Sequence, residues 1–417
     1  MTKLEFQDKK LRDHLKLPRS SMFKEGVSIT GSFQRPLLAL VDRHTDVSTI
    51  MHHTSTYQAL GHDVLDYKLN RVSYSETKKQ PSGPPQVVKK SFDVDSKTDK
   101  FWAANRGKPF PEVAEAVEQE LADARKKEDD IRNAGGGAAG GDDAQVDVAD
   151  STNRIKMAVS SLPQLMEQKK KLNGHMSMLM AIMDKIKEGG LDDYYGTEED
   201  LMNEAPLEPN ALTDLLKQKG SERDKLRLYI IALLGGGLKP DEIEKCESIL
   251  KAKGCDMAVV TYARELVKLR EGRKNHRAST TEGGGKDSMF SQALDTGAGW
   301  WKQGVKKLLP SESMGTVTQV IDALMDLKPS ELTQNYLYMD PKQLRPGPPT
   351  TTVPKGRAPF DECMVFMVGG GNFCEYQNLS DYAQRNRKTI TYGCSELVSA
   401  DQFLDQMSVL GGGPGSK

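Results

Sequence analysis

"MVFMVGGGNFCEYQNL", residues 364–379, places five apolar residues directly before three glycines. This order is typical of a strand that runs into a phosphate-binding loop. However, a dinucleotide fingerprint needs a third glycine where this chain has Cys374, and a P-loop needs a lysine, which is missing between Gly371 and Lys388. Glycine also lets the backbone turn sharply at the end of a strand. We therefore predict a structural turn at Gly369–Gly371, with nucleotide binding as the alternative.

Two further strands are predicted near this stretch and near the amino end. "RPLLALVDR" (35–43) is a short apolar run closed by charge, which favours a strand buried on both faces of a parallel sheet. "TITYGC" (389–394) follows the helical pattern "NLSDYAQRN", and a capping box at Ser399 and Gln402 predicts the last helix. Strands that alternate with helices predict a parallel α/β layer. Because its strands come from both ends of the chain, the middle must be an insertion.

The insertion has predominantly helical patterns. Two long helices are predicted at 109–133 and 152–189, joined by a glycine-rich connection at 134–150. Further helical patterns lie at 221–234, 240–253, 256–271 and 316–327, and one at 56–69 follows the first predicted strand. The stretches 77–91 and 272–288 have the composition of disordered loops.

These patterns predict an α/β plus α fold. We expect a discontinuous α/β domain with an incomplete sheet, formed by 1–66 and 331–417, and a mostly helical domain at 67–330 that interrupts it. A chain of 417 residues with 37% hydrophobic residues can hold two or three domains.

Composition excludes some classes of function. The 58 basic and 59 acidic residues nearly cancel, so the overall charge gives no reason to expect nucleic acid as a ligand. The five cysteines lack the C-x-x-C spacing of a zinc site, which favours reduced thiols in a cytoplasmic protein. No stretch approaches the roughly 18 consecutive apolar residues of a membrane-spanning helix.

Asp42 is a candidate nucleophile, because it stands at the carboxyl end of the predicted strand 35–43. Phosphatases of the haloacid-dehalogenase type carry a second aspartate two residues later, where this chain has His44. A general acid within reach is a geometric requirement, so this difference counts against catalysis. Asp46 suits a turn in which it accepts backbone hydrogen bonds. A nucleotide- or phosphate-handling enzyme using Asp42 and Gly369–Gly371 is kept as the alternative function.

Histidines cluster in the same region and raise the question of a metal site. The cluster comprises His44, His52, His53 and His62, together with Asp42, Asp46 and Asp63. Yet no pair has the spacing of H-E-x-x-H, and adjacent histidines on one helix diverge by about 100°. We therefore predict surface or loop-packing histidines, without a metal or any other cofactor.

The helix at 152–189 carries a narrow apolar seam. Its a and d positions are Ala158, Leu162, Leu165, Lys169, Leu172, Met176, Leu179, Met183 and Ile186. Such a seam is suited to another helix, and methionines make adaptable contacts. Packing of helix 109–133 against the seam is the alternative for part of its length. Pro163 lies within this helix, where proline removes a hydrogen bond and favours a bend, so it is a candidate hinge.

A second candidate surface lies at 289–310. Phe290, Leu294, Trp301, Val305 and Leu308 fall on one helical face, beside Lys302, Lys306 and Lys307. Tryptophans and lysines on a weakly apolar helix suit a membrane interface or a detachable lid, and packing on the body is equally compatible.

Three segments together resemble a known family. Residues 33–72, 99–121 and 365–407 are similar to the Sec/Munc (SM) proteins, most closely to the Sly branch that serves traffic between endoplasmic reticulum and Golgi. The resemblance implies a non-enzymatic, monomeric protein on the cytoplasmic side of these membranes. It also implies binding to syntaxin-type and vesicle-type SNARE proteins, whose assembly the family templates for membrane fusion.

The resemblance also implies roles for particular residues. The hairpin at about 109–189 would grip SNARE helices and bend at Pro163, and Met176 would meet the vesicle SNARE. The expected SNARE-binding residues are Leu162, Leu165, Leu172, Met176, Leu179 and Met183. The stretch 272–310 matches the family's lid-like loop. The family's N-terminal domain, which captures a syntaxin peptide, has no counterpart in this sequence, so we expect that capture to be weakened.

Overall fold

The computed structural model describes residues 36–78, 86–136, 148–206, 210–274, 308, 314–334, 336–339 and 359–413. Its strands are β1 (Leu37–Asp42), β2 (Asp66–Lys68), β3 (Arg71–Lys78), β4 (Gln86–Asp93), β5 (Glu362–Val368) and β6 (Thr389–Cys394). Its shorter helices are α1 (Ser48–Met51), α2 (Tyr57–Val64), α3 (Lys100–Asn105), α6 (Leu191–Met202), α7 (Ala211–Lys217), α11 (Thr316–Met325) and α13 (Ala400–Leu410). The longer ones are α4 (Phe110–Gly136), α5 (Val148–Gly189), α8 (Glu222–Gly235), α9 (Pro240–Ala252), α10 (Met257–Lys274) and α12 (Phe373–Asn386).

The predicted parallel layer is confirmed. Strands β1, β5 and β6 form a parallel sheet in that order, with Leu37 opposite Cys363 and Met367 opposite Cys394. A strand from the amino end of the chain therefore pairs with one that lies more than three hundred residues later, and the middle is an insertion. Since Leu37–Lys417 clusters as one compact unit, the domain boundaries at 66 and 331 remain a prediction.

The expectation that 35–43 forms a strand buried on both faces is wrong. Ala39 and Val41 are buried, but Leu38 and Leu40 are each 60% exposed. Helices α11 and α12 cover the inner face with residues such as Ile321 and Leu379. Within the described ranges no layer covers the other face. A continuous apolar run specifies a strand, but the number of layers depends on elements elsewhere in the chain.

The triple glycine forms a turn, as predicted. Gly369 and Gly370 have φ values of 97° and 100°, which favour glycine. Both amides donate to Ser395 Oγ, at 3.2 and 3.0 Å. The Gly371 amide donates to the Glu396 carbonyl at 2.9 Å. These three amides are satisfied within the fold, so they do not form a phosphate cradle.

Gly370→Ala tests this turn. A Cβ at position 370 would lie 2.7 Å from Val398 Cγ2, on a backbone that L residues rarely adopt. We expect unfolding free energy to fall by about 1–3 kcal/mol, measured by chemical denaturation. The control is Gly237→Ala, where a Cβ meets nothing within 4 Å. An equal effect of both substitutions would contradict the steric explanation.

The insertion begins with an antiparallel sheet that the sequence patterns did not reveal. Strands β2, β3 and β4 pair in that order. The helix predicted at 56–69 therefore stops at Val64, and the predicted loop 77–91 contains the end of β3 and most of β4, while 79–85 lies outside the described residues. The alternation of buried Val72 and Tyr74 was the available signal.

The other predicted helices are confirmed within a few residues. Helix α8 is buried on all sides from Lys225 to Leu234, which is typical of a central helix. It packs against α6 and α10, and α10 packs against α13. The capping box of α13 has both of its hydrogen bonds, between Ser399 and Gln402. Residues 272–274, predicted as loop, belong to the last turn of α10.

Candidate functional site: the α4–α5 hairpin

Helices α4 and α5 pack along each other as a hairpin, as predicted. Helix α4 supplies the buried side chains Phe110, Val113, Val117, Leu121 and Ala124. Helix α5 supplies Leu172, Met178, Leu179, Ile182, Met183 and Ile186. Farther along the hairpin, Lys169 forms an ion pair with Glu128. The closely packed part of the hairpin is thus its base, next to the body.

The predicted seam is divided between interior and surface. Leu172, Leu179 and Met183 are at most 1% exposed, so for this part the packing alternative is correct and these side chains are not presented to a partner. Met176 is partly buried against the same core. Leu162 and Leu165 are also partly buried, and Pro163 is exposed within a continuous helix. On α5, the side chains of residues 148–161 lie outside the description.

The outer part of the seam lies beyond the buried apolar residues of α4. On α4, residues 125–130 read RKKEDD, and Ile131, which follows them, is partly buried. On α5, Met166 follows Leu165 directly and is 63% exposed. Because positions i, i+3 and i+4 share one helix face, Leu162, Leu165 and Met166 form an apolar stripe. We call these three residues the outer stripe.

A buried histidine anchors α5 to the body, and sequence reasoning missed it. His175 is fully buried, with Nε2 2.9 Å from Asp99 Oδ2 and Nδ1 3.0 Å from the Tyr57 hydroxyl. Its ring stacks on Trp102 at 6.1 Å. Burial acts to raise the pKa of Asp99, but hydrogen bonds from His175 and the Trp102 amide lower it. These contacts hold the hairpin base in a fixed orientation. In the sequence, the only indication of this anchor was a single histidine next to the apolar seam of α5.

The clustered histidines were predicted to be surface or loop-packing residues, and two of them pack in the loop that follows α1. His52 and His53 are buried, and their Nδ1 atoms lie 3.0 and 2.8 Å from the two oxygens of Glu198. Because α1 ends at Met51 and His52 is extended, the rings converge rather than diverge as on a helix. Asp224 Oδ1 lies 3.2 Å from His53 Nε2. Within the described ranges, no group of such residues could hold a metal.

The remaining residues of that cluster have structural contacts. His44 Nδ1 lies 2.7 Å from Asp42, and its Nε2 lies 3.0 Å from the Tyr262 hydroxyl. Asp42 also accepts the His44 amide at 2.9 Å. Asp46 accepts the Thr49 amide at 3.0 Å, which confirms its predicted role in a turn. These bonds explain the residues without a catalytic role for Asp42.

The predicted lid residues Phe290, Leu294, Trp301, Lys302, Val305 and Lys306 lie outside the described residues. Leu308 is described, and it is 1% exposed in the same core as the hairpin base. Within the stretch 289–310, Leu308 therefore packs on the body. Among the described helices, none is both long and apolar enough to cross a bilayer.

Comparison with models of protein families identifies the family of this chain. The model of the Sec1 family matches residues 5–406. The chain belongs to the Sec1 family. This Sec1-family chain is 39% identical to Sec1 family domain-containing protein 1 of Rattus norvegicus and to the Protein sly1 homolog of Drosophila melanogaster. Each match covers 97% of this chain but 65% of the relative, so the chain spans about two thirds of the relatives' length.

Solved structures give the same result for the fold. Sly1p, crystallised with an N-terminal peptide of Sed5p, matches with a TM-score of 0.66 and 28% identity, over 91% of this Sec1-family chain and 59% of Sly1p. The SM protein Vps45, in complex with the Qa SNARE Tlg2, matches with a TM-score of 0.63 over 93% of this chain and 62% of Vps45. At 14% identity, the likeness to Vps45 concerns the fold alone.

Proposed function

We propose that this Sec1-family chain binds SNARE helices at the α4–α5 hairpin and holds them for assembly in vesicle traffic between endoplasmic reticulum and Golgi. The observation that carries the proposal is the outer stripe, a partly exposed apolar surface on a long helix, in which Met166 is 63% exposed. Amphipathic helices dock on such surfaces through anchors spaced three and four residues apart. Met166 adds a flexible contact that can adapt to different partners.

The partners we propose are syntaxin-type and vesicle-type SNARE proteins. The likeness to Sly1p, which was crystallised with an N-terminal peptide of Sed5p, supports the syntaxin type. For the vesicle type, Met176 stays the proposed contact, and it is partly buried between Leu172 and Leu179 in the hairpin base. Leu172, Leu179 and Met183 would then support the surface from inside, because contact with a partner would require the hairpin base to open.

The proposed location is the cytoplasmic face of endoplasmic reticulum and Golgi membranes.

Pro163 interrupts the backbone hydrogen bonding of α5 beside the outer stripe, and we propose it as the hinge that adjusts the stripe to a bound helix. The stretch 289–310 stays the proposed lid or membrane contact. Binding, rather than catalysis, is the activity that we propose.

Introducing a negative charge into the outer stripe tests the function. We expect Leu165→Glu and Met166→Glu to weaken binding of a SNARE-motif segment at least about tenfold, a loss of roughly 1.4 kcal/mol, because a carboxylate would be desolvated against the bound helix. Syntaxin-type and vesicle-type segments are titrated separately, and binding is measured by fluorescence anisotropy. Circular dichroism checks that helix content is unchanged.

The matched control is Leu269→Glu on α10, since Leu269 is 64% exposed and Met166 is 63% exposed. The control should bind both segments like the unchanged chain. If the outer-stripe variants keep full affinity, the hairpin assignment is wrong. If the unchanged chain binds neither segment, the proposed function fails for this chain.

A further inference from the structure

A small cavity lies between the first residues of α12, the first residues of α13 and the connection from α1 to α2. Its lining includes Thr54, Asn372, Phe373, Ser399 and Ala400. The cavity measures about 20 Å³. A water molecule needs roughly 10–15 Å³ of such space, so the cavity has room for about one water and not for a larger ligand.

Asn372 lines this cavity and carries an unused hydrogen-bond donor. Its Oδ1 caps α12 by accepting the Glu375 amide at 2.8 Å. Because a backbone amide can only donate, this bond identifies the bonded side-chain atom as the oxygen and the other one as the NH₂ group. Asn372 is 8% exposed, and its Nδ2 makes no hydrogen bond to any described residue. Since an NH₂ group only donates, the missing partner must be an acceptor.

Thr54 supplies a second unused group at the same cavity. Its Oγ1 is buried and is likewise without a hydrogen bond within the described ranges. A hydroxyl both donates and accepts, so Thr54 can bond to a molecule that already accepts from Asn372. That molecule must fit into the space of a single heavy atom. Water meets these conditions, because a buried water typically makes two to four hydrogen bonds to otherwise unsatisfied polar groups.

The surrounding charges favour a neutral occupant. The pKa of the Cys374 thiol is raised to about 12, first by burial and then by the carboxylates of Glu375, Glu199, Asp46 and Asp63. Cys374 also lines the cavity, so the same negative charges disfavour an anion there. A cation is disfavoured by the NH₂ group, which has only donors to offer. A small neutral molecule that both accepts and donates fulfils both conditions.

We propose that one water molecule occupies this cavity as a fixed part of the fold, accepting from Asn372 Nδ2 and bonding to the Thr54 hydroxyl. This water connects the turn that follows β5 with the loop that follows α1, two segments more than three hundred residues apart in the chain. The site is separate from the outer stripe, and it does not depend on SNARE binding.

NMR of the full chain, perdeuterated and labelled with nitrogen-15 at asparagine, tests the site. Cross-relaxation between water and the Asn372 side-chain amide is measured in the laboratory frame and in the rotating frame. A bound water gives cross-peaks of opposite sign in the two experiments, whereas rapidly exchanging surface water gives the same sign. We expect opposite signs at Asn372 and equal signs at Asn173, which is exposed on α5 and serves as the internal control.

Two substitutions at Thr54 change the site. Thr54→Ile should abolish the cross-peaks at Asn372, because the added carbon fills the space of the water. Thr54→Val keeps the shape of the side chain and should reduce the cross-peaks about twofold or more, because the water loses one of its two side-chain partners. The control is Thr261→Val, which removes an exposed hydroxyl that donates to the Met257 carbonyl at 3.0 Å and should leave the cross-peaks unchanged.

The proposal is overturned if the unchanged chain has no bound water at Asn372. It is also overturned if Thr54→Ile leaves the cross-peaks as they are, because the water would then lie outside this cavity. Should Thr54→Ile fail to fold, unchanged cross-peaks in Thr54→Val overturn it instead.

Discussion

Glu198→Gln should lower the free energy of unfolding by about 3–5 kcal/mol at pH 7, the loss typical when one partner of a buried ion pair is removed. Glu198 is fully buried. Its two carboxylate oxygens lie 3.0 Å from His52 Nδ1 and 2.8 Å from His53 Nδ1. The His53 amide also donates to it at 2.8 Å. Glutamine offers a single acceptor oxygen and turns an amide donor toward the second ring. The two histidines would then lose the carboxylate charge that raises their pKa values.

Denaturant titrations monitored by circular dichroism measure this change. Glu167→Gln serves as the control, because Glu167 pairs with Lys171 on the surface and its side chain is 68% exposed. Surface pairs contribute about 0–1 kcal/mol, so that variant should be nearly neutral. A loss below about 1 kcal/mol in Glu198→Gln would show that the buried cluster does not stabilise the fold.

Stability should also fall as pH rises from about 6.5 to 9. Burial acts to lower the pKa of His52, but hydrogen bonds with Glu198 and Glu199 raise it from 6.5 to about 9. A folded pKa above the unfolded value means that the contribution is complete below pH 6.5 and lost as pH rises through the folded pKa. At 1.36 kcal/mol per pKa unit, the loss amounts to about 3 kcal/mol for this residue.

At acid pH, stability changes in the opposite direction and falls as pH falls. Burial acts to raise the pKa of Glu198, but the charges and hydrogen bonds of His53 and His52 lower it to about 2. Its contribution is therefore present above the unfolded pKa of 4.5 and lost as pH falls toward 2. The cluster stabilises the fold most between about pH 4.5 and 6.5, the window between the two unfolded pKa values.

Denaturation at pH 6, 7, 8 and 9 with constant ionic strength checks this profile. Buried thiols with raised pKa values, such as Cys363, also reduce stability at high pH, because they ionise more readily when unfolded. The decisive quantity is therefore the difference between the unchanged chain and Glu198→Gln, which should shrink as pH rises. A constant difference from pH 6 to 9 would contradict the raised pKa of His52.

Local patterns were enough for much of the fold. The apolar runs at 35–43 and 363–368 predicted strands, and the capping box at Ser399 and Gln402 predicted α13. The seam of α5 predicted a long helix with a partner helix. These features depend on neighbours a few residues apart, and such neighbours set strand and helix periodicity. The strands β2, β3 and β4 were missed because strands with few apolar residues depend on pairing for their formation.

The candidate sites required contacts between distant residues. No spacing along the chain indicates that His52 and Glu198, 146 positions apart, form a buried pair. Likewise, nothing local divides the seam into the buried Leu172 and the partly exposed Leu165, because the division depends on where the apolar residues of α4 end. Sequence periodicity specifies which face of an element is apolar, whereas packing partners supplied by the rest of the chain decide whether that face becomes core or binding surface.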